Sequence, residues 1–244
     1  MENIVIGYEI QTRDEVSRVF ECVFDARTLC IERPPPEVAP AWTALEFQQC
    51  TVCPLKAGSD PCCPLAIQLE GVINRFGHLI SYQEVLLTVT TPERRVVQET
   101  TAQRALGSLL GLLMAVSGCP VTRFFRPMAR FHLPLASEIE TIYRATSMYL
   151  LGQYFRSLQG GERTDDLSGL GAIYADLSSV NRGIAARLRA AIDTDAAVGG
   201  VAILDLYTLV VPQVINEALA DIEHLFAPYW NETSPGGEAP CAVS

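Results

Sequence analysis

Apolar and polar residues alternate at the start of the chain. Ile4, Ile6, Tyr8 and Ile10 are separated by single residues, and a period of two predicts a strand over residues 3–12. Val16–Phe24 continues in the same style. Asp25-Ala26 then separates it from Arg27–Ile31, a spacing that predicts a hairpin although the turn lacks its preferred glycine. Arg33-Pro34-Pro35-Pro36-Glu37 reads as a polyproline-like connector, and Thr43–Phe47 as a further strand. The period changes after residue 63. Leu65, Leu69, Val72, Ile73 and Phe76 fall on one helical face, with Pro64 at the first helical position and Gly77 just beyond the last. Ile80–Thr90 and Arg95–Thr100 return to strand character around Thr91-Pro92-Glu93.

Beyond residue 100 the pattern is helical. Thr100 with Gln103 has the form of a capping box ahead of Ala105–Val116, which Ser117-Gly118-Cys119-Pro120 ends. Ser137 with Glu140 has the same form and opens a helix to about Leu158. A third helix, 166–192, carries Leu170, Ile173, Leu177, Ile184, Leu188 and Ile192 on one side. Residues 197–226 are apolar nearly all round, as in a central bundle helix, with a kink expected at Pro212. The Gly-, Pro- and Ser-rich segment 231–244 is expected to fray. The expected fold class is therefore α+β. An antiparallel sheet region over 1–98, with one helix and the cysteine loop 50–63, packs against a helical bundle over 99–230. The two halves are expected to form one compact unit.

Charge narrows the partners. The 244 residues include 28 acidic and 18 basic side chains, a formal net charge of −10. That excess repels nucleic acid and anionic membrane surfaces, so neither is an expected partner. Lys56 is the single lysine, and Ala57 follows it, which excludes a phosphate loop ending in GK[ST]. The opening residues have no basic stretch or long apolar run, so no secretory signal is read there. Ala105–Val116 is too short to span a bilayer, and Ala196–Ile215 carries Asp205 and Pro212, so both read as core helices. These features place the chain in the cytoplasm, where thiols stay reduced.

The eight cysteines then read as ligands, nucleophiles or small core residues. Four of them lie in Cys50-Thr51-Val52-Cys53-Pro54-Leu55 and Cys62-Cys63-Pro64-Leu65, and a further Cys-Pro pair stands at 119–120. A C-x2-C pair suits a metal because two thiolates on a tight turn reach one ion from one side. Cys63 precedes Pro64 at a helix start, where amide groups and the helix dipole stabilise a thiolate. Cys119 follows a helix end and completes a candidate four-sulfur set of Cys50, Cys53, Cys63 and Cys119, with Cys62 and His132 as substitutes. Zinc is the common ion of closed four-thiolate sites, and an iron–sulfur cluster is the alternative. Such a closed site is structural. A thiol enzyme or redox switch remains open as a second reading, with Cys63 reactive and Cys62, Cys53 or Cys50 resolving it. A third is a non-catalytic interaction protein that forms a homo-oligomer through its apolar C-terminal helix.

The order Trp42, Cys50-x2-Cys53-Pro54-Leu55, Cys63-Pro64-Leu65-Ala66, Ser117-Gly118-Cys119-Pro120, Phe131-His132-Leu133-Pro134 and Glu140-Thr141-Ile142-Tyr143-Arg144 resembles an uncharacterised bacterial family, a domain of unknown function. The resemblance spans nearly the whole chain. It implies no activity, but it implies that the cysteine, Ser-Gly-Cys-Pro and Phe-His-Leu-Pro segments belong to one design.

Other features have simpler readings. The arginines and phenylalanines of Arg123–Phe131 are of a kind that binds single-stranded nucleic acid. In an acidic chain the arginines are expected to pair with its own carboxylates instead. Glu217, Asp221 and His224 share a helix face but supply only an imperfect half of a di-iron motif, so a solvated face is expected. No G-x-S-x-G, H-E-x-x-H or G-x-G-x-x-G is present, and the sequence names no reaction.

Overall fold

The computed structural model describes residues 2–13, 16–31, 39–162, 166–191, 197–201 and 219–230. Strands β1 (Asn3–Thr12), β2 (Arg18–Asp25), β3 (Glu84–Thr90) and β4 (Arg95–Thr101) form one antiparallel sheet in the order β2-β1-β3-β4. Asn3 faces Asp25 across β1 and β2, Gly7 faces Thr90 across β1 and β3, and Glu84 faces Thr101 across β3 and β4. This register puts Ile4, Ile6, Tyr8, Ile10, Phe20, Cys22, Phe24, Val85, Leu87 and Val89 in the core. Val5, Val19, Val23, Leu86 and Val97 lie on the exposed side. The sheet thus has one buried face, as the alternation of β1 requires.

Helices α1 (Pro64–Phe76) and α2 (Ala102–Val116) cover that face. α2 is the central helix, because burial extends from the face of Leu106, Leu109, Leu110 and Leu113 to Leu112, Met114 and Ala115 on its other sides. After α2 come a 3-10 turn at 122–125, α3 (Arg126–Arg130), α4 (Glu138–Leu158) and α5 (Ser168–Ala191). α5 contributes Val180, Ile184 and Leu188 to the main core, and residues 197–201 add Ala197 and Val201. A smaller core joins α4 to the first half of α5 through Ile142, Ala145, Tyr149, Leu170 and Tyr174. The architecture is α+β, as read from the sequence. Among the described residues no helix is long and apolar enough to cross a membrane.

Local signals are obeyed where no tertiary contact competes. Cys63 is the N-cap of α1 with Pro64 in the first turn, and α1 ends at Gly77. Ser137 and Glu140 form the complete capping box of α4. Ser137 Oγ accepts from the Glu140 N–H at 3.3 Å, and Glu140 Oε2 accepts from the Ser137 N–H at 2.7 Å. Ser137→Ala removes half of this arrangement, and an urea unfolding curve should show a loss of about 1 kcal/mol.

Three expectations are corrected. Arg27–Ile31 is not a strand. Asp25 Oδ1 accepts from the N–H groups of Arg27 and Thr28, which closes a turn. Leu29 then adopts φ +53°, and the Ile31 N–H bonds to the end of α2 at Val116 O. Thr43–Phe47 is not a strand either: Ala41–Thr43 is a 3-10 turn, and one isolated bridge joins Ala44 to Cys62. The Thr100–Gln103 capping box does not form. Thr100 stays in β4 opposite Val85, and Thr101 is the N-cap without a side-chain bond. The amides of Ala102 and Gln103 bond instead to the carbonyls of Gln83 and Ser81, so main chain does the work of a cap.

The predicted helix 197–226 lies largely outside the described residues, as do Pro212, Glu217 and the tail 231–244. Within its described parts, 219–222 is helical and 223–229 is a 3-10 turn. Asp221 and His224 are exposed. In the Arg–Phe segment, Arg130 pairs with Glu93 at 2.8 Å.

Candidate metal centre

The cysteine loop is held at several points. The Cys53 N–H donates to Cys50 O at 3.0 Å, so the C-x2-C pair is a tight turn. Thr51 Oγ1 and Ser179 Oγ, 2.8 Å apart, tie this turn to α5. At the far end the Leu45 N–H bonds to Pro61 O and the Cys63 N–H to Thr43 O. Cys62 and Cys63 are adjacent in this extended stretch, so their side chains point to opposite sides.

Cys119 reaches the same region from α2. Gly118 adopts φ +86°, a left-handed conformation that glycine takes without strain. A Cβ at Gly118 would lie 4.0 Å from Pro64 Cβ, so the Ser117-Gly118-Cys119 turn sits over the start of α1. The Ser117 hydroxyl accepts the Cys119 N–H at 3.3 Å and holds that turn.

Within the expected set, the effects fall on Cys50 and Cys63. Burial pushes the Cys50 thiol up to about 12, and Cys63, Cys119 and Cys53 push it in the same direction. Burial also raises Cys63, and Cys119 adds to the effect. The amides of Ala66 and Leu65 and the Arg187 guanidinium oppose it without reversing it. No cap hydrogen bond is formed to the Cys63 side chain. Cys62 is not among the main groups acting on either thiol. His132 is turned elsewhere: its Nε2 lies 2.5 Å from Tyr8 Oη, which lies 2.9 Å from Ser108 Oγ. Cys53, Cys63 and Cys119 are thus each near enough to act on Cys50. Among the described residues, however, no group of three or more His, Cys, Asp or Glu side chains stands at metal-binding spacing. The seven described cysteines are all free thiols.

Two residues of α5 complete this region and were not singled out from the sequence. Arg187 is 1% exposed. Its Nη1 donates to Trp42 O at 2.6 Å and Ala44 O at 2.8 Å, and its Nη2 to Leu45 O at 2.9 Å. Among the described residues no carboxylate pairs with it. It is a buried cation beside Cys50 and Cys63. Its grip on those carbonyls explains why 43–47 is not a strand, since the acceptors of a ladder are already taken. The signal was available: Arg187 falls between Ile184 and Leu188 on the buried side of the helix, where a charged residue needs a partner.

Gly183 lets the loop approach. A Cβ there would stand 2.9 Å from Cys50 Sγ and 3.1 Å from Gln48 O. Gly183→Ala should therefore push the loop off α5 and cost about 1–3 kcal/mol, read from the shift in a urea midpoint.

Residues 6–227 match the family described as Domain of unknown function (DUF6901). The chain belongs to that family. The DUF6901 match takes in the sheet, the cysteine loop, Cys119 and Arg187. No curated protein and no solved structure matches the chain.

Proposed function

We propose that this chain is a metal-binding protein in which Cys50, Cys53, Cys63 and Cys119 hold one structural zinc ion. What supports this reading is that Cys53, Cys63 and Cys119 all act on Cys50, and that Cys50 and Cys63 lie beside Arg187, a buried cation with no carboxylate partner among the described residues. Zinc with four thiolates carries two net negative charges, and an adjacent guanidinium offsets part of them. Binding would draw the sulfurs to ligand spacing and displace their protons. The ion would then tie the C-x2-C turn, the start of α1 and the end of α2 into one unit. All four positions of the ion would be filled, so its role is stability rather than catalysis. The expected setting is a reducing compartment such as the cytoplasm.

The redox reading is weaker on one point. A reactive cysteine needs a depressed proton affinity, whereas burial raises that of Cys63 above the ordinary thiol value.

Elemental analysis and an absorption spectrum of anaerobically purified protein test the proposal. A colourless sample with one zinc per chain supports it. A brown sample keeps the ligands but replaces zinc by an iron–sulfur cluster. Metal-free protein with one fast-reacting thiol overturns it in favour of thiol chemistry.

A further inference from the structure

A second feature lies away from the cysteines. A half-open cavity of about 190 Å³ is lined by α2, α5, the start of α4 and the loop after α3. Gly107, Gly111 and Ala115 recur every fourth residue along α2 and leave the space open. Leu112, Met128, Leu135 and Leu177 give it apolar walls. An apolar cavity of about 150 Å³ holds one benzene molecule, so this space suits a substituted six-membered ring.

Its polar groups are few, and two lack the partners they call for. Asn181 lines the cavity and is fully buried, and neither its amide nitrogen nor its amide oxygen has a hydrogen-bond partner. Buried amides are almost always paired, because leaving one unpaired costs its hydration. Arg144 also lines the cavity and is half-buried. Its Nη2 donates to Met128 O at 3.1 Å and Phe131 O at 2.9 Å. Glu140, one turn earlier, acts on it electrostatically, but its Oε2 is engaged in the α4 capping box and no salt bridge joins the two. His132 and Tyr174 stand near Arg144, and burial holds both neutral. Asn181 lies two helical turns beyond Tyr174 on α5, so the cation and the amide mark separate parts of the cavity.

We infer that this cavity binds a small, mostly apolar carboxylate that carries an amide or hydroxyl group away from the acid. The carboxylate would pair with Arg144, whose planar guanidinium suits a two-oxygen partner. The apolar body would lie among the leucines. The distal group would satisfy Asn181, which offers both a donor and an acceptor.

Calorimetric titration of the full chain with benzoate, 4-carbamoylbenzoate and uncharged benzamide tests this. 4-Carbamoylbenzoate should bind about tenfold more tightly than benzoate, the factor one well-placed hydrogen-bonding group supplies, and benzamide the most weakly. Asn181→Leu should keep or raise the melting temperature, since it removes an unpaired amide. It should also abolish the advantage of 4-carbamoylbenzoate while leaving benzoate unchanged. Arg144→Gln should weaken both acids. If that variant fails to fold, the benzamide comparison still reports on the charge. The inference is overturned if none of the three compounds binds, if benzamide matches the acids, or if Asn181→Leu leaves the ranking intact. These readouts do not depend on metal content, so failure here leaves the zinc proposal standing, and the reverse holds too.

Discussion

Replacing Arg187 with leucine lowers the free energy of unfolding by about 3–5 kcal/mol, the cost of removing one partner from a buried charged contact. The guanidinium serves the carbonyls of Trp42, Ala44 and Leu45 at once. Ala44 O keeps a bond from the Phe47 N–H at 3.2 Å when the arginine is gone. Trp42 O and Leu45 O are left without a donor, and each orphaned buried acceptor costs about 1–3 kcal/mol. Leucine fills part of the volume but forms none of these bonds. It also withdraws the cation that lies 5.9 Å from the Phe47 ring. In urea, the midpoint should fall with an unchanged slope, because the loop loses its anchor while the amount of surface exposed on unfolding stays similar. Arg189→Ala is the control. Arg189 is exposed on the same helix, and the change should stay within about 0.5 kcal/mol. An Arg187→Leu variant that unfolds at the wild-type midpoint would show that the loop does not hang on this residue.

The second large effect concerns Cys53. Cys53→Ser should abolish stoichiometric metal and lower the melting temperature by about 10 °C together. A ligand that binds only the folded state at a thousandfold excess over its dissociation constant stabilises by about 4 kcal/mol. For a chain of this size each kcal/mol corresponds to about 2–4 °C. A chelator added to the unmodified protein should reproduce the shift, and added chelator should do nothing further to the variant. Cys62→Ser is the control, because Cys62 forms the bridge to Ala44 and is not one of the four proposed ligands. Unchanged metal content and melting temperature in Cys53→Ser would sink the proposed function.

Much of the architecture was legible from local patterns. The alternation of β1, the Pro64 start of α1 and the Ser137–Glu140 box each depend on neighbours a few residues apart, and each appears as expected. Errors came where a distant group claimed the same main-chain atoms. Arg187, over 140 residues along the chain, took the carbonyls that a strand at 43–47 would have used. Gln83 and Ser81 took the amides that a Thr100 cap would have satisfied. Periodicity carries no information about such claims. It did carry one unread signal, since Asn181 and Arg187 are polar residues inside the buried face of α5.

By itself the sequence determined the main helices and strands, the buried face of the sheet and the density of thiols, because spacing of two or three to four residues decides which side chains share a face. It also excluded a lysine-dependent phosphate loop. Only the tertiary structure decided that the end of α2 lies over the start of α1, and that α5 inserts a cation beside Cys50 and Cys63. It alone formed a cavity lined by Asn181 and Arg144. Those meetings join segments far apart in the chain, and they follow from how whole helices pack against one sheet face rather than from the order of residues within any one of them.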